Sequence, residues 1–131
     1  MKIFFLASFI LLVAKENCNQ KKTNSAASTT NCYKGKLEVK GGCMNYTLSI
    51  LNQNIDTSLV VSSWTDENTG KSYKNVFALG TRCNFPDTIN AGDEFYFSID
   101  STTVQNCAVC LMYYPTPSKK LSIKVLPAPC Q

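Results

Sequence analysis

Two cysteines three residues apart, Cys107-Ala-Val-Cys110, have the spacing of a thiol-disulfide exchange motif. Such a pair works when its first sulfur is a thiolate near neutral pH, a state commonly produced by an adjacent helix N-terminus. Here a polar loop precedes the pair and the β-rich run Leu111-Met112-Tyr113-Tyr114 follows it, so no helix is placed to lower that pKa. In an extended run the two residues point to opposite faces with Cα atoms about 10 Å apart, beyond the roughly 7 Å reach of a direct bond. Each then requires a partner elsewhere. Two structural half-cystines are the better reading, and thiol-disulfide exchange through Cys107 and Cys110 is the alternative.

Other chemistries narrow quickly. The chain has no histidine, which removes a Ser-His-Asp triad, a Cys-His dyad and any His-ligated zinc or copper. Asp56, Asp66, Glu67, Asp87, Asp93, Glu94 and Asp100 fall mostly in predicted turns. Asp66-Glu67-Asn68 lacks the alternating oxygen ligands and closing glutamate of a calcium loop. Nothing singles out two carboxylates for glycoside hydrolysis. No catalytic residue, metal or cofactor is therefore assigned, and a non-enzymatic role is expected. The net charge of +4 is small and scattered, so nucleic acid is not an expected partner.

Aromatic residues remain as a lead. Trp64, Tyr96, Tyr113 and Tyr114 include rings that alternate onto polar strand faces, where flat side chains can hold a sugar or a protein partner. Simple filling of strand surfaces competes with that reading, because aromatics favour strands whatever the function. Asn45-Tyr46-Thr47 is a glycosylation sequon on the predicted outer face.

The N-terminus specifies a compartment. Lys2 precedes an uncharged run from Ile3 to Ala14, which has signal-peptide length and is too short for the roughly 20 residues of a spanning helix. No A-x-A cleavage site follows. Instead Lys15, Glu16 and Asn17 lead to Cys18, whose position after an apolar leader looks like a bacterial lipoprotein signal, although Asn17 stands where a small residue is usual. Parity supports an anchor: seven cysteines less Cys18 leave an even six, Cys32, Cys43, Cys83, Cys107, Cys110 and Cys130. An exported chain with an even set reads as a disulfide framework of undetermined pairing. Cys130, in the Pro-rich tail, most needs a staple. Residues 1–17 are thus expected to be a signal peptide and 18–31 a polar, disordered tether, with 32–131 a single folded domain.

From Cys32 onward apolar residues alternate at period two. GKLEVK, Gly41-Gly42 and CMNYTLSI read as a hairpin with a two-residue turn, pairing Lys40 with Cys43, Leu37 with Tyr46 and Gly35 with Leu48. That register collects Leu37, Val39, Met44, Tyr46, Leu48 and Ile50 on one face. Ser58 to Thr65 and Ser72 to Leu79 read as a second hairpin. Further strands are predicted at Glu94 to Ile99, Ala108 to Tyr114 and the KKLSIKVL run. About seven short strands predict an all-β domain: an antiparallel Greek-key β-sandwich, with a partly open β-barrel as the alternative.

The strings CYKGKLEVKGGCMNYTLSI, WTDENTGKSYKNVFALG, CNFPDTINAGDEFYFSID and CAVCLMYYPTPSKKLSIKV resemble uncharacterised short predicted lipoproteins of Bacteroidota-type bacteria. The resemblance covers residues 32–126. It implies a lipid anchor at Cys18 and a place in the cell envelope, and it brings no activity with it. Surface-displayed members of that group often carry acidic residues after the lipidated cysteine, whereas Asn19, Gln20, Lys21 and Lys22 stand here. The expected location is therefore membrane-anchored and facing the periplasm, with cell surface or secretion as alternatives. The expected function is a lipid-anchored, disulfide-stabilised module with a binding or structural role toward an envelope protein or glycan.

Overall fold

The computed structural model describes residues 31–102, 105–108 and 110–130. Cys18, the predicted leader and the predicted tether as far as residue 30 lie outside the described residues. The domain is all-β, and among the described residues seven strands form a single sheet: β1 (Tyr33–Lys40), β2 (Tyr46–Ile50), β3 (Val61–Thr65), β4 (Ser72–Leu79), β5 (Glu94–Ile99), β6 (Lys120–Leu121) and β7 (Ile123–Leu126). The order is β3-β4-β2-β1-β5-β7, and β6 pairs with β4.

That pairing bends the sheet. β6 lies on the outer edge of β4, in parallel, and β7 lies antiparallel on the outer edge of β5. Only Ser122 separates them. In a flat sheet those two edge positions would be five strand spacings apart, about 24 Å. One intervening residue spans no more than about 7 Å. The ends of the sheet must therefore curl toward each other until Lys120–Leu126 bridges them. Of the two architectures the alternation allows, the partly open barrel accounts for this single sheet, with the β3 end of the second hairpin projecting from it. Thr81 secures the closing strand: its Oγ1 donates to the Ile123 carbonyl at 2.7 Å and accepts from the Ile123 amide at 3.0 Å.

The barrel interior is the hydrophobic core, as period-two strands with one buried face require. Leu37, Leu48, Phe77 and Phe97 are fully buried, and Ile50, Leu79, Phe95 and Ile123 nearly so. Phe85, in the β4–β5 connection, packs edge-on against Tyr46 and Phe95. Lys40 holds that connection in place, its Nζ donating to the carbonyls of Asp87 and Ile89 and to Asn90 Oδ1.

Three local expectations are corrected. The β1–β2 register is Gly35 to Ile50 and Leu37 to Leu48, then Val39 to Thr47 and Lys40 to Tyr46 after an irregularity between Leu37 and Val39. The turn is not Gly41-Gly42 alone but the whole stretch from Gly41 to Asn45, with a 3-10 turn at Gly42–Met44. Cys43 and Met44 both have φ of 58°, a left-handed conformation costing roughly 1–2 kcal/mol per residue. Its offset comes from outside the hairpin, as described below. The predicted strand over Ala108 to Tyr114 is also absent among its described residues, which pair with no strand.

Candidate functional site

Three disulfides organise the surface: Cys32–Cys130, Cys43–Cys110 and Cys83–Cys107, with Cα separations of 5.7, 5.5 and 5.5 Å. Cys107 and Cys110 are thus not bonded to each other. Each reaches back to a different loop, which leaves no dithiol pair for exchange in this state.

The first bridge closes the pole of the barrel where β1 begins. Cys43–Cys110 lies beyond the other end of β1, a strand of eight residues and about 23 Å in length, and Cys83–Cys107 joins the loop after β4 to the segment that follows β5. Together these two bridges fasten a strap. Gln105 Oε1 accepts from the amides of Arg82 and Cys83, fixing the segment's entry. Cys110 is bonded to Cys43. Asn45 Nδ2 then donates to the Met112 carbonyl at 3.0 Å and to the Gly42 carbonyl at 2.9 Å, while its Oδ1 accepts from Arg82 Nη2 at 3.0 Å. Asn45 is buried, and all three polar atoms it faces are satisfied by one amide. The Cys43 bridge and these bonds are what hold the left-handed turn.

Above this base the strap runs from Cys110 to Pro117 with no turn or bend. Its side chains alternate. Leu111 is 97% exposed and Tyr113 82%, while Met112, at 61%, places its sulfur over Gly42 and Tyr114 is half-buried against Gly41. A Cβ on Gly41 would fall 2.7 Å from the Tyr114 ring and 2.4 Å from the Asn45 carbonyl oxygen; only glycine lets the strap sit this close. Leu111, Met112 and Tyr113 form a contiguous apolar tip in water, a feature that marks interaction sites on folded domains.

The four aromatic residues selected from the sequence are not gathered into one surface. Trp64 stacks on Tyr73 across the β3–β4 hairpin at 6.1 Å, with Lys71 Nζ 5.0 Å from the Tyr73 ring centre. Tyr96 sits on β5 opposite Lys34 and Leu126. Tyr113 and Tyr114 belong to the strap, one facing outward and one inward. Leu111 and Met112, which aromatic content alone passes over, are the residues that complete the tip. Their signal in the sequence was the run of apolar residues next to a cysteine.

The remaining features are structural. The sequon is closed: Asn45 has its amide engaged, and Thr47 is fully buried. Asp66, also fully buried, accepts from the Asn68 amide and Thr69 Oγ1 and so forms a turn rather than a cation site. Asp56 is held below the usual carboxylate range by the hydroxyl and amide of Ser58. A cleft of about 540 Å³ lies between Asn84, Pro86 and Asp100 on one side and β7 through Pro127 on the other. Of the carboxylates considered in the sequence, Asp100 lines it and the other six do not. Comparison with known proteins returned no family model, no curated protein and no solved structure that matches this chain.

Proposed function

We propose that this protein is a non-catalytic binding module of the bacterial envelope, exported, anchored through an acylated Cys18 and facing the periplasm, like the short lipoproteins its sequence resembles. Three bridges fit an oxidising compartment. The observation that carries the binding role is the apolar tip Leu111-Met112-Tyr113, exposed yet fixed to the barrel by Cys43–Cys110 and by Asn45. A loop that were merely a connection would have no reason to keep three large apolar side chains exposed on a base this strongly fastened.

The test is intact-mass measurement of the membrane-extracted protein. The expected mass is that of residues 18–131 plus acyl chains on Cys18, less six hydrogens for three disulfides. A full-length chain with its leader uncut and its thiols free would overturn the reading.

A further inference from the structure

We propose that the strap is the reactive loop of a serine endopeptidase inhibitor, with Leu111 entering the enzyme's primary specificity pocket. The inference rests on the reading of the strap as the module's contact surface and adds the class of partner.

Endopeptidases of this kind take their substrates as extended strands, through main-chain pairing and alternate side-chain pockets. The strap has that form before any enzyme arrives. It is unbent from Cys110 to Pro117, and Leu111 and Tyr113 project to the outside while Met112 and Tyr114 lie toward the barrel. Leu111 is a large apolar side chain with 97% of its surface in water, so a pocket that received it would gain nearly its whole transfer free energy.

The Leu111–Met112 peptide bond is fixed on both sides. One residue before Leu111, Cys110 is bonded to Cys43; one residue after it, the Met112 carbonyl is held by Asn45, itself held by Arg82. Preorganisation of this sort removes the ordering cost that an ordinary peptide meets on binding. It also changes what cleavage accomplishes. Hydrolysis of that bond would add one water and give a Leu111 carboxylate and a Met112 amine. The first stays attached through Cys110–Cys43, and the second through the chain entering β6 and β7. Neither end departs, so loss of the water and re-formation of the bond remain available at high effective concentration.

A leucine at the reactive position selects an enzyme whose pocket is a wide hydrophobic slot rather than one floored by a carboxylate.

The experiment titrates the full oxidised chain against chymotrypsin, elastase and trypsin, whose pockets are a hydrophobic slot, a small apolar one and an acid-floored one. Wild type is expected to inhibit chymotrypsin and spare trypsin. Leu111→Gly should bind about 100-fold more weakly, and Leu111→Lys should move inhibition to trypsin. Because Leu111 buries almost nothing, all three proteins should melt together. Cys43→Ser/Cys110→Ser should be cut after Leu111 instead of inhibiting. Wild type that inhibits none of the three enzymes, or Leu111→Lys that leaves their order unchanged, overturns the inference. The intact-mass result is independent of this titration: an acylated, three-bridged chain that inhibits nothing loses the inhibitor assignment alone.

Discussion

The guanidinium of Arg82 donates through Nη2 to Asn45 Oδ1 at 3.0 Å, across 37 residues of sequence. Asn45 spends its own two amide hydrogens on the carbonyls of Gly42 and Met112. One buried amide therefore joins the β1–β2 turn, the strap and the loop after β4. Asn45→Ala should destabilise the fold by about 1–3 kcal/mol, because partners are left unsatisfied in a poorly hydrated place. Arg82→Ala combined with Asn45→Ala should cost less than the two single changes together, a shortfall read from a denaturant double-mutant cycle. Additive losses would show that the two side chains act separately.

Phe97 dictates the residue at position 35. A Cβ on Gly35 would lie 2.7 Å from Phe97 Cε1, and that ring is fully buried among Tyr33, Phe77 and Phe95. Gly35→Ala should lower stability by about 1–3 kcal/mol through overpacking. Gly35→Ala/Phe97→Leu should recover part of the loss seen in the two singles, since the smaller side chain vacates the contested space. Thermal melts of the four proteins make the comparison.

The bridges divide between barrel and strap. On loop-closure entropy, Cys32–Cys130, with its separation of 98 residues, contributes up to about 4.7 kcal/mol, and Cys83–Cys107, with a separation of 24, about 3.5 kcal/mol. Cys32→Ser/Cys130→Ser should accordingly give the larger fall in melting temperature. Cys43→Ser/Cys110→Ser should leave the strand amides protected from hydrogen exchange while opening the strap to proteolysis. Loss of protection in β1 and β2 on cutting the second bridge would place that bridge inside the folding core.

Tyr46 sets an alkaline limit. Burial, and after it the nearby Asp87 carboxylate, raise its pKa above the ordinary 10.0. The unfolded chain therefore ionises this phenol first. Its contribution to stability is intact below pH 10 and declines as the pH climbs through the folded value. Tyr46→Phe should remove that part of the alkaline decline, measured as melting temperature against pH from 8 to 12.

How much of this was readable in advance depends on how far each contact reaches. The hairpin carrying Trp64 and Tyr73, and the inward pair Phe95 and Phe97, follow from local alternation; β4 and β5 are where that alternation places them, while β3 starts at Val61 rather than Ser58, after a 3-10 turn at Thr57–Leu59. The Gly41-Gly42 turn misleads because two glycines between alternating runs are a good local hairpin signal. The structure instead spends five residues there, so that Cys43 can meet Cys110 and Asn45 can meet Met112 and Arg82, all of them distant partners. Leu111 to Tyr114 have strand-forming side chains yet pair with no strand; the Cys43–Cys110 bridge and the Asn45 bond hold them instead. The choice between sandwich and barrel turns on a single fact invisible to periodicity, that the residues on either side of Ser122 pair with opposite ends of the sheet.

That closing strand has a consequence for assembly. Until Lys120–Leu126 docks, β4 and β5 each present an unpaired edge, and the place of Ile123 in the core is vacant. Bare edges are templates for whatever strand comes next, and the same seven residues from a neighbouring molecule satisfy them as well as the chain's own. Refolding at high concentration should thus yield an exchanged dimer, each copy lending its last strand to the other, which dilution of the already folded monomer would not produce.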